Sequence, residues 1–361
     1  MPSRSIAPFP NKLLDLYSIK ELPETHAWGP DDHTPDDTCD DLETVPFIDL
    51  ADENAPDLIG RACKTWGVFQ VVNHNVSKNL LDQVEFAGNH LFSLPLHQKL
   101  RAARPPNGVA GYGVARISSF FPKLMWSEGF TIDDSLVDYA RLLWPDDYQH
   151  FCDTIEAYKK EMKELAGKLM WLMLGSLGIT SDDIKWGGAG AGAAVQMNSY
   201  PACPEPERAM GLAAHTDSTI LTILHQSNTS GLQVLREGSG RWTTVAPAAG
   251  ALVVHVGDLM HILSNGVFPS VVHRAVVNRA RHRLSVAYLY GPPAHVKISP
   301  AAKVVDERRP ALYRAISWSE YLGTKAKHFD KALTALRLCE CECDDGFVDT
   351  NHPHNTVKLQ G

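Results

Sequence analysis

The stretch Met210-Gly211-Leu212-Ala213-Ala214-His215-Thr216-Asp217 is an apolar run that ends in a histidine and an aspartate two residues apart. In an extended chain, residues i and i+2 project from the same face, so this imidazole and this carboxylate converge on one point. The surrounding texture is that of short strands. Between residues 195 and 289, apolar runs at 221–224, 232–235, 251–256 and 284–289 alternate with Gly, Pro and Asn. Many short strands at regular spacing predict a sandwich or a barrel.

Upstream of this region the reading is mixed. Residues 1–44 are rich in Pro, Asp and Thr without periodicity and read as an extended arm. A short strand is expected at 45–50, a helix at 56–66 and a buried strand at 68–72. Ser77 is placed to cap a helix carrying Leu80, Leu81, Val84, Leu91 and Phe92. Residues 108–113 form a glycine-punctuated loop. The strongest helix spans 148–177, where Tyr158, Met162, Leu165, Leu169 and Leu172 make one apolar stripe. The Gly/Ala-rich residues 187–194 read as a flexible insertion. Helical patterning returns at 317, and the tail beyond Cys339 is acidic and polar.

Composition excludes several classes. With 361 residues, 44% hydrophobic and 21% charged, the chain is an ordinary globular protein. Its 34 basic and 42 acidic groups leave a net charge of −8, which gives no generic attraction for a phosphate backbone. No nucleic-acid partner is therefore expected. The most apolar stretch, 170–179, is half of the roughly 20 residues a membrane span needs, so no membrane partner is expected either. The seven cysteines, odd in number and irregularly spaced, do not read as a disulfide framework. Met1-Pro2-Ser3-Arg4-Ser5 opens no apolar secretory segment, and a cytoplasmic location is the expectation.

A lone His-x-Asp is weak evidence in a chain with sixteen histidines. The later sequence strengthens it. His273 stands in Ser270-Val271-Val272-His273-Arg274-Ala275, and ten residues on comes Arg283-Leu284-Ser285. Two histidines and one carboxylate form a facial triad that holds non-haem Fe(II) and leaves positions open. Arg283 and Ser285 share a strand face, where a guanidinium and a hydroxyl can grip the far end of a dicarboxylic acid.

Taken with Asn198-Ser199-Tyr200-Pro201, Val45-Pro46-Phe47-Ile48-Asp49-Leu50, Trp66-Gly67-Val68-Phe69-Gln70-Val71-Val72-Asn73-His74 and Gly257-Asp258, these residues resemble the plant Fe(II)- and 2-oxoglutarate-dependent dioxygenases. The run from Gly111-Tyr112-Gly113 through Trp126-Ser127-Glu128 is similar to that of the gibberellin 3-oxidases. The resemblance implies a mainly β fold: a double-stranded β-helix (jelly-roll, cupin-like) flanked by N-terminal helices and a C-terminal helix. It divides the chain into an arm (1–44), an α/β region (45–186) with a substrate lid at 107–132, a jelly-roll core (195–300) and a helical segment with polar tail (301–361). It implies iron on His215, Asp217 and His273, and 2-oxoglutarate on Arg283, Ser285, Tyr200 and Asn198. For the substrate it points to Tyr112, Arg116 and Trp126, with Arg116 as the cation for a gibberellin carboxylate. The implied reaction is 3β-hydroxylation with O2, releasing succinate and CO2 and supported by ascorbate, with no obligatory protein partner.

Two other readings use the same residues: another plant oxygenase (a gibberellin 2-oxidase or a flavonoid enzyme), and a barrel that binds a small molecule without turnover. The chain departs from the family at Asn75, where a glycine is common and where Asn tolerates positive φ. It also departs at His255, where Asn is usual and where an imidazole is a rival ligand. His225, His261 and His282 read as packed or surface histidines. Cys339-x-Cys341-x-Cys343 lacks the spacing of a zinc site.

Overall fold

The computed structural model describes residues 14–29, 44–106, 108–184, 186, 190–236, 238 and 240–338. Most of the arm, residues 187–189 and the cysteine-containing tail lie outside the described residues. Strands β1 (Phe47–Asp49), β2 (Val68–Val72), β3 (Gly111–Gly113) and β4 (Glu128–Ile132) come from the N-terminal region. The core follows with β5 (Gly192–Tyr200), β6 (Met210–His215), β7 (Leu221–Gln226), β8 (Leu232–Leu235), β9 (Trp242–Thr244), β10 (Leu252–Val256), β11 (Val272–Val276) and β12 (Arg283–Gly291).

One sheet has the order β1-β2-β10-β7-β12-β5-β4-β3, and the other β6-β11-β8-β9. From β5 to β12 the chain passes back and forth between them. Each sheet therefore interleaves early and late strands, which is the double-stranded β-helix, here with N-terminal and C-terminal helices. This winding brings Arg283 opposite Tyr200 and Ser285 opposite Asn198.

Alternation along β12 divides its side chains between two environments. Leu284, Val286, Tyr288 and Tyr290 join the main apolar core with helices α1 (Ala55–Thr65), α2 (Lys78–Ser93) and α5 (Gln149–Gly175). Tyr158, Met162 and Leu169 of the α5 stripe are fully buried in it. Arg283, Ser285, Ala287 and Leu289 face the barrel interior instead. The short helices α3 (Leu96–Lys99) and α4 (Leu136–Leu143) complete the N-terminal layer. Helix α6 (Asp258–Leu263) follows β10, and α7 (Trp318–His328) is the C-terminal helix, started by a capping box between Ser317 and Glu320.

Among the described residues, no helix is long and apolar enough to cross a membrane. Asn75 has φ +67°, as its place in the turn requires. Ser77 precedes α2 as expected, but its side chain makes no capping hydrogen bond. The expected loop at 108–113 ends in strand β3.

The Gly/Ala-rich stretch is corrected at its end: residues 192–194 are not a flexible insertion but the start of β5, paired with β12. The small residues there have a packing reason. A Cβ on Gly192 would lie 2.7 Å from the Trp318 indole, and one on Gly291 would collide with the same ring.

Candidate active site

Strands β6 and β11 pair antiparallel with His273 opposite His215, which sets the two imidazoles side by side, 4.3 Å between ring centroids. Oδ1 of Asp217 lies 3.8 Å from His215 Nε2 and 3.7 Å from His273 Nε2. Among the described residues, these three form the one group whose ligand atoms gather closely enough, within 4.8 Å, to hold a metal ion.

Each ring is fixed from behind. His215 Nδ1 donates to Ala213 O at 2.8 Å, and His273 Nδ1 donates to Val271 O at 3.2 Å. A carbonyl only accepts, so Nδ1 carries the proton and Nε2 keeps its lone pair for the centre. Burial pushes both imidazoles below their ordinary range, His273 far below it. Burial opposes ionisation of Asp217, but His273, His255 and His215 outweigh it and hold the carboxyl well below the usual carboxylate range. Two neutral nitrogen donors and one anionic oxygen suit a divalent iron.

His255 on β10 is buried with Nδ1 3.4 Å from Asp217 Oδ2, without an aligned hydrogen bond. It faces the other carboxylate oxygen and lies outside the three-residue group.

Behind the group, the backbone N–H of Asp258 donates to Asp217 O at 2.8 Å. The Asp258 carboxylate accepts from Thr216 Oγ1 (3.2 Å), Tyr321 Oη (2.7 Å) and Lys325 Nζ (2.7 Å). Helix α7 is thereby tied to the tripeptide that carries His215 and Asp217. Gly257 must be small here, since a Cβ would run into the Thr219 carbonyl oxygen.

A cavity of about 190 Å³ opens onto the three residues. Arg283 lies in its wall, 2% exposed. Its guanidinium carbon is 5.1 Å from the centre of the Tyr200 ring, Nη2 donates to Gln226 Oε1 at 3.3 Å, and Nε has no partner. Among the described residues no carboxylate pairs with Arg283, and a buried unpaired cation is costly enough to call for an anion. Asn198 and Ser285 line the same wall. Leu212, Leu224, Leu232 and Leu289 give the wall its apolar part.

Comparison with known proteins accords with this geometry. Residues 191–292 match the model of the 2OG-Fe(II) oxygenase superfamily, and residues 45–149 match that of the non-haem dioxygenase in morphine synthesis N-terminal region. The chain is 60% identical over 356 residues to gibberellin 3-beta-dioxygenase 1 of Pisum sativum, covering 96% of this chain and 94% of that protein. The chain belongs to the gibberellin 3-beta-dioxygenase family of 2OG-Fe(II) oxygenases.

Gibberellin 3-beta-dioxygenase 2 of Arabidopsis thaliana is 53% identical, with 88% of this chain and 93% of that one covered. A crystal structure of JOX2 in complex with 2OG, Fe and JA superposes with a TM-score of 0.72 at 31% identity, covering 84% of this chain and 89% of that one. As a member of the oxygenase family, the protein is an enzyme that uses Fe(II), 2-oxoglutarate and O2 on a small molecule.

In this family member the three residues expected at the substrate are not brought together. Arg116 is exposed at the rim of the inner cavity and also lines a second, outer cavity of about 560 Å³. Tyr112 lines only the outer cavity, with its hydroxyl buried and unpartnered. Trp126 lines neither. It is fully buried against Leu16, Leu22, Cys203 and Ala209, with its indole N–H donating to Pro201 O.

His261 is held by Phe268 O and Tyr313 and His282 by Ser199 and Tyr17, while His225 Nε2 lies 3.4 Å from Glu85 Oε2 without an aligned hydrogen bond. Sequence reasoning missed Arg104, which lines both cavities, and the arm residues Leu14, Leu16 and His26, which line the outer one. The signal for Arg104 was its place just before the Gly111-Tyr112-Gly113 motif.

Proposed function

We propose that the enzyme hydroxylates gibberellins at C-3 on the β face, converting a substrate, O2 and 2-oxoglutarate into the 3β-alcohol, succinate and CO2. The observation that carries this reading is the 60% identity to the pea enzyme along nearly the whole chain, with the His215–Asp217–His273 group intact. In this reading His215 Nε2, His273 Nε2 and Asp217 Oδ1 hold the iron. Arg283, Ser285, Tyr200 and Asn198 hold 2-oxoglutarate, the orphaned guanidinium taking the distal carboxylate. Bound iron and 2-oxoglutarate together supply the oxidising equivalents that place one oxygen atom of O2 on the substrate.

The protein's own contribution is positioning. The backbone-anchored imidazoles fix the direction in which the iron site opens, and the leucine-lined wall excludes water from it. A gibberellin is a rigid hydrocarbon polycycle with one carboxylate, which suits apolar walls and a cationic rim. The inner cavity alone falls below the roughly 300 Å³ of small-molecule sites, so the substrate extends into the outer one. The segment 107–132 acts as the lid. Its turn at Arg116–Phe120 stacks Phe120 on Phe329, 4.6 Å between centroids, beyond α7. Tyr112 and Arg116 face the substrate from this lid, and Trp126 anchors it. The enzyme works in the cytosol on free small molecules, with ascorbate sustaining activity and no nucleic-acid or obligatory protein partner.

The test is product analysis by mass spectrometry with Fe(II), ascorbate, 2-oxoglutarate and gibberellins lacking the 3-hydroxyl. A product one oxygen heavier that matches the 3β-alcohol, and is lost in His215→Ala, is the expected result. A 2β-hydroxylated product, or succinate without gibberellin oxidation, would overturn the substrate assignment.

A further inference from the structure

We propose that Arg104, held at the junction of the two cavities, is the anchor for the substrate carboxylate, and that Arg116 is an outer guiding cation. This rests on the reading of the substrate as a gibberellin acid and names the residue that selects for its charge.

The guanidinium of Arg104 is positioned before any ligand arrives. Nη1 donates to Val114 O at 3.1 Å and Nη2 to Thr131 Oγ1 at 3.4 Å. Thr131 Oγ1 in turn donates to Gln196 Oε1 at 2.5 Å, and Gln196 Nε2 donates to Asn198 Oδ1 at 3.0 Å. The backbone N–H of Arg104 donates to Tyr112 O at 2.8 Å. Gly111 permits this close approach: it has φ +108°, and a Cβ there would lie 2.8 Å from Ala102 O and 3.0 Å from Arg104 N. The Gly-Tyr-Gly strand thus clamps Arg104 in place.

What the clamp leaves over is the binding function. Nε of Arg104 is buried and has no acceptor among the described residues. No carboxylate among them pairs with Arg104 or Arg116, and the two guanidiniums repel each other. An anion between them satisfies the orphaned donor and relieves the repulsion. The other arginines of the inner cavity are engaged: Arg274 with Gln233 and the Trp242 ring, and Arg283 at the 2-oxoglutarate end. A preformed guanidinium adds affinity because little side-chain freedom is lost on binding.

The experiment compares a 3-deoxy gibberellin with its carboxylate methyl ester, measuring both dissociation constants anaerobically on the Fe(II)- and 2-oxoglutarate-loaded enzyme. One charge-assisted pair sets the expected preference for the acid in wild type at roughly 10- to 100-fold. Arg104→Gln should bring the ratio near one while leaving the ester's affinity and the KM for 2-oxoglutarate within about threefold. Arg104→Lys, which keeps the charge but not the fork, should retain part of the preference and serves if the Gln variant fails to fold. Arg116→Gln should mainly reduce the salt dependence of association. A ratio that survives in both Arg104 variants, or that collapses in Arg116→Gln alone, overturns the proposal. The position of hydroxylation in the product reports separately on the substrate assignment, so a shifted hydroxyl with an Arg104-dependent ratio would sink that reading alone.

Discussion

Replacing Lys99 by Met or Glu128 by Gln should each destabilise the enzyme strongly, while the double replacement should recover most of the loss. Lys99 Nζ and Glu128 Oε2 lie 2.6 Å apart with side chains only 2% and 3% exposed. The ammonium also donates to Phe92 O at 3.1 Å and sits 5.5 and 5.4 Å from the centres of the Tyr17 and Tyr112 rings. The pair joins the end of α3 to the start of β4 beneath the outer cavity. Removing one partner strands a buried charge, at a cost of about 3–5 kcal/mol. Glu128→Gln belongs at the lower end, because an amide oxygen still accepts from the ammonium. Removing both leaves no ion to desolvate, so the double variant should lie within about 2 kcal/mol of wild type.

The assay is a double-mutant cycle on urea or thermal melts, and the expected coupling is about 2–3 kcal/mol or more. The pH dependence sharpens it. Burial pushes the Glu128 carboxyl up, against the pull of Lys99, and losing Lys99 must push it further. A raised folded value means that the folded state holds more protons than the unfolded state above the ordinary value of 4.5. The stability of Lys99→Met should therefore fall as pH rises from about 5, more steeply than that of wild type. Singles that simply add, or a Lys99→Met deficit that does not change with pH, would refute the reasoning.

Two further predictions follow from the same kind of accounting. His255→Asn should still bind one iron, with an affinity within about tenfold of wild type, whereas His255→Leu should lose roughly 10- to 100-fold, as measured by metal titration; loss of stoichiometric iron in both would make His255 a ligand. Burial beside Trp126 pushes His26 down to about 4 from 6.5, so the unfolded chain takes up a proton below pH 6.5 that the folded chain refuses until about pH 4. His26 should thus cost up to about 3 kcal/mol of stability as pH falls through that window, and His26→Phe should flatten that part of the profile in pH-dependent melts.

The binding pattern was legible because strand alternation is a strict rule. That rule paired Arg283 with Ser285 on β12, whereas His215 ends β6 and Asp217 reaches it from two residues beyond the strand. The α5 stripe was legible for the same reason, at helical period. The partners of those residues across the sheet were not. Nothing local in the chain says that Tyr200 stands opposite Arg283, because the interleaved winding sets that register. Lys99 and Glu128, 29 residues apart, look like two ordinary surface charges until α3 and β4 meet. The start of β5 was misread because Gly192 answers to Trp318, more than a hundred residues later. Arg104 was overlooked in favour of Arg116, although Arg104 is the one tied to both β3 and β4 by hydrogen bonds.

The placement of buried charge separates scaffold from site. Where a buried ion serves the fold, the chain supplies an opposite ion: Glu128 for Lys99, and Lys325 for Asp258. At three residues lining the inner cavity that practice stops. Arg283 and Arg104 each keep a buried Nε without an acceptor, and Asp217 Oδ2 has no hydrogen-bond partner among the described residues. Leaving such groups unpaired is costly, and a fold that pairs its structural ions could have paired these as well. The cost is offset only when ligands arrive. In the proposed reading each orphaned group awaits one ligand: a cation at Asp217, the far carboxylate of 2-oxoglutarate at Arg283, and a carboxylate-bearing substrate at Arg104. On this argument the electrostatic design of the barrel is completed by its three ligands together, and each of them should raise the thermal stability of the enzyme as it binds.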